Sequence, residues 1–501
     1  MKAAYNLCFH PLAGYDGPKL WGAFRFPFLF RLITGVLPFR IKDFHDQYGD
    51  VVRLGPDELS FTNPAAWAQI YGIRNGSGIY ERPKAWQGKF PLSKAENLIT
   101  ANEYHHNRMR RILKPAFMNE ALQEQEPLIQ SYIDRLTIKL QEKIGIGGGL
   151  VELDIVQWYS FTTFDIIGDL SFGESFECLE KNRLHPWIGI SLQFRAALFE
   201  VALKHYPWFR LLVQILTPRS LMKSLDVLLK TTREKLDRRL RNSDDRTDFL
   251  THVIRQNEKE GDLRLTPEEI ELNMMLIAVA GSDTLTTSLS GATNYLLRHP
   301  ESYTRLVHEI RSTFSNQQQM TADKLTKLPY LSAVIQETLR MCPPSADGAR
   351  RCVPSGGDII CGRRVPERAR RHFPGQSGWL TADPMCSIQT IVSVNPWASF
   401  QSSLNFTKPA SFIPERWLPN SGYDSDNKAA LQPFLLGNRT CLGQKLAWLE
   451  LRLVLANLLW NFDLAVPSCG IPSWNSQKIF FNWEKLPMII RLTTAIVSNH
   501  R

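Results

Sequence analysis

The sequence predicts a mainly helical protein with small β-sheets, an α+β fold in which helices supply most of the core. Two strand-like runs within residues 51–62 flank a Gly-Pro-Asp turn and predict a hairpin. Helical periodicity dominates from about residue 122 to about residue 340. No proline lies between Pro267 and Pro300, which allows one helix of about 32 residues, or about 48 Å. A helix of that length must cross a large fold.

Length and composition bound the class of protein. The 501 residues are 44% hydrophobic and 22% charged, which is typical of a globular chain with a large core. Lys and Arg outnumber Asp and Glu by 59 to 49, and the net charge of +10 permits an acidic partner or an anionic membrane surface. The basic residues are spread along the chain, which argues against a nucleic-acid partner. None of the eight cysteines forms a CxxC pair or a zinc-spaced cluster with histidine.

The predicted helices have recognisable ends. The amphipathic run 122–143 leads into the glycine run 145–149, which is a helix stop. The Thr-Pro-Glu-Glu run 266–269 supplies a capping threonine, a first-turn proline and a capping-box glutamate for the central helix. Residues 329–340 predict a helix that two prolines stop, and residues 446–459 predict a strongly apolar one.

The first 40 residues contain no secretory signal, because no apolar core follows Lys2. Residues 24–39 are the best candidate for a membrane segment, but arginines and prolines interrupt them. They are too short to span a bilayer, which takes about 20 apolar residues. A helix on a membrane surface and an ordinary buried helix both stay open for this stretch.

The residues in the middle of the central helix are expected to lower its helical stability. Residues 274–280 are apolar on all sides and predict full burial. Gly281 costs about 1 kcal/mol in a helix interior, and the Ser-Asp-Thr run 282–284 competes with the backbone for hydrogen bonds. Two interpretations stay open: a packing notch where another element crosses, and a gap for a ligand flanked by an acid and a hydroxyl.

Near the C-terminus, residues 434–443 read Phe-Leu-Leu-Gly-Asn-Arg-Thr-Cys-Leu-Gly, a loop that opens the apolar helix. Gly437 and Gly443 allow tight turns. Cys441 is expected at a helix N-terminus beside Arg439, and both features are expected to lower the pKa of its thiol. A thiolate at that position can bind a soft metal centre, haem iron included.

This loop resembles the haem-thiolate signature Phe-x-x-Gly-x-Arg-x-Cys-x-Gly of the cytochrome P450 family. Residues 280–284, Ala-Gly-Ser-Asp-Thr, resemble the oxygen-binding groove of the family's long helix. Residues 337–340, Glu-Thr-Leu-Arg, resemble its Glu-x-x-Arg helix, and Pro-Glu-Arg-Trp at 414–417 resembles its Pro-Glu-Arg-Phe segment. The opening residues 5–20 are similar to the filamentous-fungal secondary-metabolism branch, to which isotrichodermin hydroxylase-like enzymes belong.

The resemblance implies one catalytic domain over residues 1–501, built as a triangular prism with the central helix over haem. Cys441 would be the axial ligand of haem b. Asp283 and Thr284 would be catalytic and would deliver protons during oxygen activation, while Gly281 would leave room for the oxygen.

The resemblance also implies two sets of supporting residues. The remaining cofactor-binding residues would be Arg439, Arg110, His106, Arg351, Phe434 and Gly443, with arginines toward the haem propionates and His106 in place of the family's tryptophan. Arg350 could exchange roles with Arg351. The structural network would be Glu337, Arg340 and Arg416, and removing one partner of such a buried network costs about 3 to 5 kcal/mol.

The chain departs from the family pattern in two places. Relatives usually carry an apolar anchor before the segment that here begins at Tyr5, so the start is truncated or misassigned, or the protein is a soluble form. Residues 368–389 form a 22-residue insert without helix or strand periodicity. We hypothesise that the insert is a retained intron translated in frame; a genuine surface loop is the alternative. If it belongs to the protein, docking of the strand at residues 391–394 is in question.

The lead hypothesis for function is a monooxygenase that hydroxylates or epoxidises a lipophilic secondary metabolite, such as a terpenoid, polyketide or alkaloid. It would use O2 and electrons from NADPH through the flavin enzyme NADPH-cytochrome P450 reductase. We expect a monomer at the cytosolic face of the endoplasmic reticulum membrane, or a peripheral or cytosolic protein. The alternatives are a haem-thiolate isomerase or dehydratase without external electrons, and an inactive product disabled by the insert.

Substrate contacts are expected in five regions that the resemblance indicates. These are residues 82–103, 184–207 and 274–278, the chain after Pro344, and the surroundings of Ser473. The pocket is expected to be apolar, because the central helix presents Met, Leu, Ile and Ala there. Asp347 is a polar residue in this lining, or else the cap of a turn.

Overall fold

The computed structural model describes residues 1–74, 78–87, 93, 95–191, 219–241, 246–259, 261–367 and 389–495. Helices make up most of this part of the chain, as the periodicity predicts. They are α1 Lys2–Cys8, α2 Lys19–Ala23, α3 Phe26–Ile33, α4 Leu37–Tyr48, α5 Ala65–Tyr71, α6 Glu103–Leu113, α7 Asn119–Ile146, α8 Ile155–Phe172, α9 Cys178–Lys181, α10 Pro186–Ser191, α11 Arg219–Arg241, α12 Phe249–Lys259, α13 Pro267–Arg298, α14 Pro300–Thr313, α15 Ala322–Thr326, α16 Pro329–Met341, α17 Pro396–Phe400 and α18 Gln444–Asn461.

The strands form small sheets of four, three and two strands. They are β1 Val51–Gly55, β2 Glu58–Phe61, β3 Leu150–Asp154, β4 Arg351–Cys352, β5 Asp358–Ile360, β6 Arg363–Val365, β7 Ile391–Val394, β8 Phe462–Ala465 and β9 Ile489–Thr494. The strand orders are β1-β2-β7-β4, β3-β9-β8 and β5-β6. The predicted hairpin is confirmed as the antiparallel pair β1–β2, in which Val51 lies opposite Phe61. Together the helices and small sheets confirm the predicted α+β class.

The central helix α13 organises the main core. It has the predicted 32 residues and the predicted capping box, in which the Thr266 hydroxyl accepts the Glu269 N–H and the Glu269 carboxylate accepts the Thr266 N–H. It packs along α8 and also contacts α16 and α18. α16 carries the Glu-Thr-Leu-Arg motif at 337–340, and α18 directly follows the Cys441 loop. Both therefore lie against the helix that carries residues 280–284.

The strand after the predicted insert is docked. β7 pairs in parallel with β2, where Ile391 lies opposite Glu58, and it pairs antiparallel with β4. The N–H of Thr390 donates to the carbonyl of Glu367 over 2.8 Å, so the two ends of the insert meet. Residues 368–388 themselves lie outside the described part of the chain. The strand at residues 391–394 is therefore paired within the sheet on both sides.

The N-terminal stretch divides into two faces. Phe28, Leu29 and Leu32 of α3 are buried, whereas Phe26 and Phe30 are exposed by 63% and 44%. A turn at residues 34–36 separates α3 from α4, so the apolar run is not one continuous helix. Within the described residues, no helix combines the length and apolarity needed to cross a bilayer.

Replacing residues 368–389 by Asn-Gly tests whether the fold needs the insert. The bond from Thr390 N–H to the Glu367 carbonyl is the closing bond of a β-turn when two residues separate them. We expect the shortened protein to fold, with a free energy of unfolding equal to wild type or up to about 3 kcal/mol higher because a long closed loop is removed. Denaturant unfolding measures this. Loss of folding, or a lower free energy of unfolding, would show that the insert supports the core.

Candidate active site

The Cys441 loop is fixed by backbone hydrogen bonds. The N–H of Cys441 donates to the Phe434 carbonyl over 2.8 Å, which closes the signature into a compact turn ahead of α18. Gly437 has φ 72°, and a Cβ there would lie 1.9 Å from the carbonyl oxygen of Tyr71, so only glycine fits. At Gly443, whose φ is −86°, a Cβ would meet nothing within 4 Å, so this glycine leaves open space rather than forming a left-handed turn.

Cys441 is an exposed residue, yet protein atoms crowd around it, so it lies in a recess of the surface and not in the core. The prediction that its pKa is lowered is wrong in sign, because burial within the surrounding protein raises the pKa more than the Gly443 amide and Arg110 lower it. A thiol in such a place becomes a thiolate when a metal takes up its lone pair, since ligation releases the proton. The helix N-terminus and the nearby Arg439 are therefore not enough to convert the Cys441 thiol to a thiolate.

The two arginines nearest the Cys441 loop take different positions from those that sequence reasoning suggests. Arg439 pairs with Glu103 over 3.1 Å, and it also donates to the Ala101 carbonyl over 3.0 Å. Arg110 donates to the carbonyl of Thr440, the residue before the cysteine, over 2.7 Å. Of the two, Arg110 is therefore the cation that acts on the cysteine.

The structure separates the neighbouring cations Arg350 and Arg351. Arg350 is neutralised by Glu58 at 3.0 Å and by Asp347 at 3.0 and 3.1 Å. Arg351 is buried over the ring of Tyr71 and has no carboxylate within ion-pair distance among the described residues. Arg351 therefore keeps an uncompensated charge, and Asp347 serves as the partner of Arg350.

Cations accumulate around this point. Burial together with the charges of Arg351 and Arg439 lowers the pKa of Arg82 to about 9, and burial and Arg439 both lower the pKa of Arg351. The pKa of His106 falls to about 4, chiefly through burial and then through Arg439, so its ring is neutral at physiological pH. The ion pair of Arg439 with Glu103 is the one carboxylate contact that these residues make within the described chain. Such a cluster favours an anionic ligand.

The accessible face of α13 lies at the predicted weak point. Ala280 is exposed and Thr284 is partly accessible, which corrects the prediction of full burial through residue 280. The Thr284 hydroxyl donates to the Ala280 carbonyl over 2.7 Å. Thr287 and Ser288 make the same bond to carbonyls four residues earlier. Such side-chain bonds compete with the backbone hydrogen bonds of a helix and often bend it. This part of α13 therefore carries side chains that weaken its regular helical geometry.

The two interpretations of the weak point apply to different residues. A Cβ on Gly281 would lie 2.8 Å from Cδ1 of Ile167 on α8, so the missing side chain is a packing notch where that helix crosses. Asp283 is buried and pairs with Lys485 of the C-terminal segment over 2.6 Å. The second interpretation, a gap for a ligand, is left with the accessible positions Ala280 and Thr284.

The predicted structural network is assembled and larger than expected. Glu337 pairs with Arg340 over 2.7 Å and with Arg416 over 3.1 Å, and all three side chains are fully buried. Sequence reasoning missed two members: Trp417 donates to Glu337 over 2.9 Å, and Asp426 pairs with Arg416. These contacts between α16 and residues 414–417 hold the stretch of chain that precedes the Cys441 loop.

The arrangement fits a haem-thiolate group. An exposed cysteine, a surplus of buried cations and the open space at Gly443 match a flat, iron-centred dianion with a sulfur ligand. The ring of Phe434 lies 6.4 Å from that of Trp448, which holds the signature loop against α18. Arg82, which sequence reasoning assigned only to a substrate loop, belongs to this cation cluster.

Comparison with known proteins agrees with this geometry. The family model for cytochrome P450 matches residues 19–366 and 388–490, and it passes over 367–387, nearly the predicted insert. The cytochrome P450 monooxygenase astA of Talaromyces wortmannii is 37% identical over 489 residues, covering 97% of this chain and 93% of that protein. FUM2 of Gibberella moniliformis is 37% identical over 498 residues, covering 98% and 99%. Averantin hydroxylase of Dothistroma septosporum is 36% identical over 498 residues, covering 97% and 88%.

The chain belongs to the cytochrome P450 family, and it is a haem-thiolate monooxygenase of the kind found in fungal secondary metabolism.

Glu450 is a buried acid that sequence reasoning passed over inside the apolar helix α18. Its side chain is 1% exposed, and neither carboxylate oxygen has a hydrogen-bond partner among the described residues. Burial raises its pKa from 4.5 to about 8. The only sequence signal was a glutamate within an otherwise apolar helix.

Glu450 predicts a pH-dependent stability. Because its pKa is higher in the folded than in the unfolded protein, the free energy of unfolding should fall as pH rises from about 4.5 to about 8. The slope should approach 1.4 kcal/mol per pH unit, at about 1.36 kcal/mol per pKa unit. Glu450→Gln should remove that slope and stabilise the protein above pH 7, as denaturant unfolding between pH 5.5 and 8.5 measures. The exposed Glu301→Gln is the control; identical slopes in wild type and Glu450→Gln would contradict the assignment.

Proposed function

We propose that this monooxygenase hydroxylates or epoxidises a lipophilic secondary metabolite of the terpenoid, polyketide or alkaloid class. The observation that carries the proposal is the exposed Cys441 beside a surplus of buried cations. Bound haem b supplies the redox chemistry that activates dioxygen. The protein holds the group in place, places a hydroxyl in the groove of α13, and supplies protons.

Named residues divide this work. Cys441 ligates the iron, and Arg110, Arg351 and Arg439 hold the propionates. Arg439 is paired with Glu103 here, so this role requires it to share or exchange that carboxylate. His106 stays neutral beside them and can donate a hydrogen bond without adding charge. Phe434 and Gly443 shape the loop around the sulfur.

The acid and hydroxyl of α13 supply protons in this proposal. Thr284 lies at the accessible face and its hydroxyl is already oriented by the Ala280 carbonyl. Asp283, the residue before Thr284 in the helix, is the proton source in this proposal. The intact pair argues against the isomerase or dehydratase alternative, because those reactions require no protonation of oxygen.

The apolar surroundings favour a lipophilic substrate. Leu98 and Ala95, in the loop before α6, pack against the main core, as do Val279 and Ile471. Of the regions expected to contact substrate, residues 88–92, 94 and 192–207 lie outside the described part of the chain. The names of the relatives place those proteins in oxidative metabolism, and averantin hydroxylase by its name hydroxylates averantin.

Electrons come from NADPH through a flavin reductase in this proposal, and the net charge of +10 suits an acidic reductase face. The exposed Phe24, Phe26 and Phe30 suit contact with a membrane surface, which agrees with a place at the cytosolic face of the endoplasmic reticulum. The chain acts as one catalytic domain and as a monomer. The gap in the family match and the meeting ends at Glu367 and Thr390 support an extra segment between them, which we propose is a retained intron.

Isotope labelling tests this function. Apolar terpenoids, polyketides and alkaloids are first screened for a shift of the Soret band, and a binder is incubated with reductase, NADPH and ¹⁸O2. We expect one ¹⁸O atom in the product and NADPH consumption that depends on the binder. Thr284→Val, which keeps the shape but removes the hydroxyl, should lower product formed per NADPH by about tenfold or more. A product formed without NADPH and without ¹⁸O would instead establish the isomerase or dehydratase.

A further inference from the structure

Glu103 is the carboxylate that meets the cation cluster near Cys441. It is the first residue of α6. One of its carboxylate oxygens accepts a hydrogen bond from Nε of Arg439 over 3.1 Å, and the other accepts one from the Asn107 amide over 3.4 Å. The side chain is only 15% exposed. Both oxygens are therefore held by neighbouring groups, in a place where water screens their charge little.

The helix that carries Glu103 presents one face to the signature loop. His106 and Arg110 follow Glu103 by three and seven residues, and such spacings place side chains on the same side of a helix. Arg110 donates to the Thr440 carbonyl, and Glu103 accepts from Arg439. Glu103 therefore belongs to the same wall as two residues that are assigned to the cofactor.

The charge of Glu103 acts beyond its own ion pair. Burial lowers the pKa of Arg351, and the negative charge of Glu103 is among the influences that oppose this shift. Within the described chain, no other carboxylate forms an ion pair with Arg82, Arg351 or Arg439. Glu103 is therefore the fixed anion of the cation cluster.

Charge balance gives this anion a consequence for bound haem. The two propionates of haem b and Glu103 make three carboxylates, and Arg82, Arg351 and Arg439 make three guanidinium groups, so together they are neutral. Reduction of ferric to ferrous iron adds one negative charge to the site. A nearby positive charge favours that addition, and a nearby negative charge opposes it. Without the charge of Glu103, one guanidinium would be left uncompensated and would favour the ferrous state.

We propose that Glu103 lowers the reduction potential of bound haem by balancing the cation cluster, and that it shares Arg439 with a propionate. The step concerned transfers one electron: the reductase supplies it, ferric iron becomes ferrous, and no bond to a protein atom forms or breaks. Because two carboxylates then share one guanidinium, Glu103 also loosens the hold of the site on haem. This inference rests on the proposed haem-thiolate function.

Redox titration of the haem-loaded protein tests the effect on the potential. Dithionite with mediators supplies the electrons, and the Soret band reports the ferric and ferrous fractions. Glu103→Gln keeps the shape of the side chain and removes its charge. Its midpoint potential should be higher by about 59 mV, which is a tenfold change in the ratio of ferrous to ferric iron for a one-electron couple. Glu103→Asp keeps the charge and should lie closer to wild type.

Glu81→Gln is the matched control. Glu81 also acts electrostatically on Arg439, but it is exposed and forms no ion pair within the described chain. Because solvent and salt screen an exposed charge, Glu81→Gln should shift the potential by less than about a third of the Glu103→Gln shift. Its shift should disappear at about 0.5 M salt, whereas the shift of Glu103→Gln should persist there.

Haem release gives a readout that is independent of reduction. Transfer of haem to excess apomyoglobin should be about threefold or more slower from Glu103→Gln than from wild type, because Arg439 is no longer divided between two carboxylates. A residue that only supported the fold would act in the opposite direction, since its loss would speed the release of haem.

The outcomes separate the two levels of the proposal. A wild-type protein that does not bind haem through sulfur would overturn the proposed function. If wild type binds it, a midpoint potential of Glu103→Gln equal to that of wild type or Glu81→Gln, or faster haem release, would overturn the role of Glu103 while the function stands. If Glu103→Gln does not load haem, Glu103→Ala makes the same change of charge. Failure of both variants to load haem would show that Glu103 supports the fold, which also overturns this role.

Discussion

An imbalance of buried charge governs the site. Burial, Arg351 and Arg439 lower the pKa of Arg82, and burial and Arg439 lower the pKa of Arg351. Glu103 is the one carboxylate in an ion pair with any of the three in the described chain. Burying such cations costs several kcal/mol each unless an anion joins them. The haem group that the family implies would bring anionic propionates that offset this cost.

The second constraint lies in the central helix. α13 must be long enough to cross the molecule, yet it must carry an acid and hydroxyls at its centre. At residues 282 and 283 the structure resolves this conflict with a partner for each side chain: Ser282 bonds to the Thr163 carbonyl on α8 over 3.1 Å, and Asp283 pairs with Lys485. Only Thr284 remains on the accessible side. The helix is therefore polar inside the core without leaving charge uncompensated there.

Local sequence signals predicted much of this architecture. The capping box at Thr266, the hairpin of β1 and β2 and the buried set Glu337, Arg340 and Arg416 depend on neighbouring residues or on specific motifs, and the structure contains them. The effect on Cys441 was misjudged, because helix position and Arg439 can be read locally but the burial that raises its pKa cannot.

Other features depend on contacts between distant parts of the chain. Asp426 lies ten residues from Arg416 and carries no motif of its own. Lys485 reaches Asp283 from 202 residues away, and Arg82 meets Arg351 and Arg439 only in the folded protein. The charge of each residue shows that it can form an ion pair or repel a neighbour. Which residue it meets depends on how the C-terminal segment and the loops around α6 pack.

The most direct test of the account is the absorbance spectrum of the reduced protein with carbon monoxide bound. The account predicts the strongly red-shifted Soret band of thiolate ligation in wild type and in Cys469→Ala, which removes another exposed cysteine. The band should vanish in Cys441→Ala. A wild-type protein that loads haem without this band, or a Cys441→Ala variant that keeps it, would contradict the assignment of Cys441 and with it the reason for the surrounding cations.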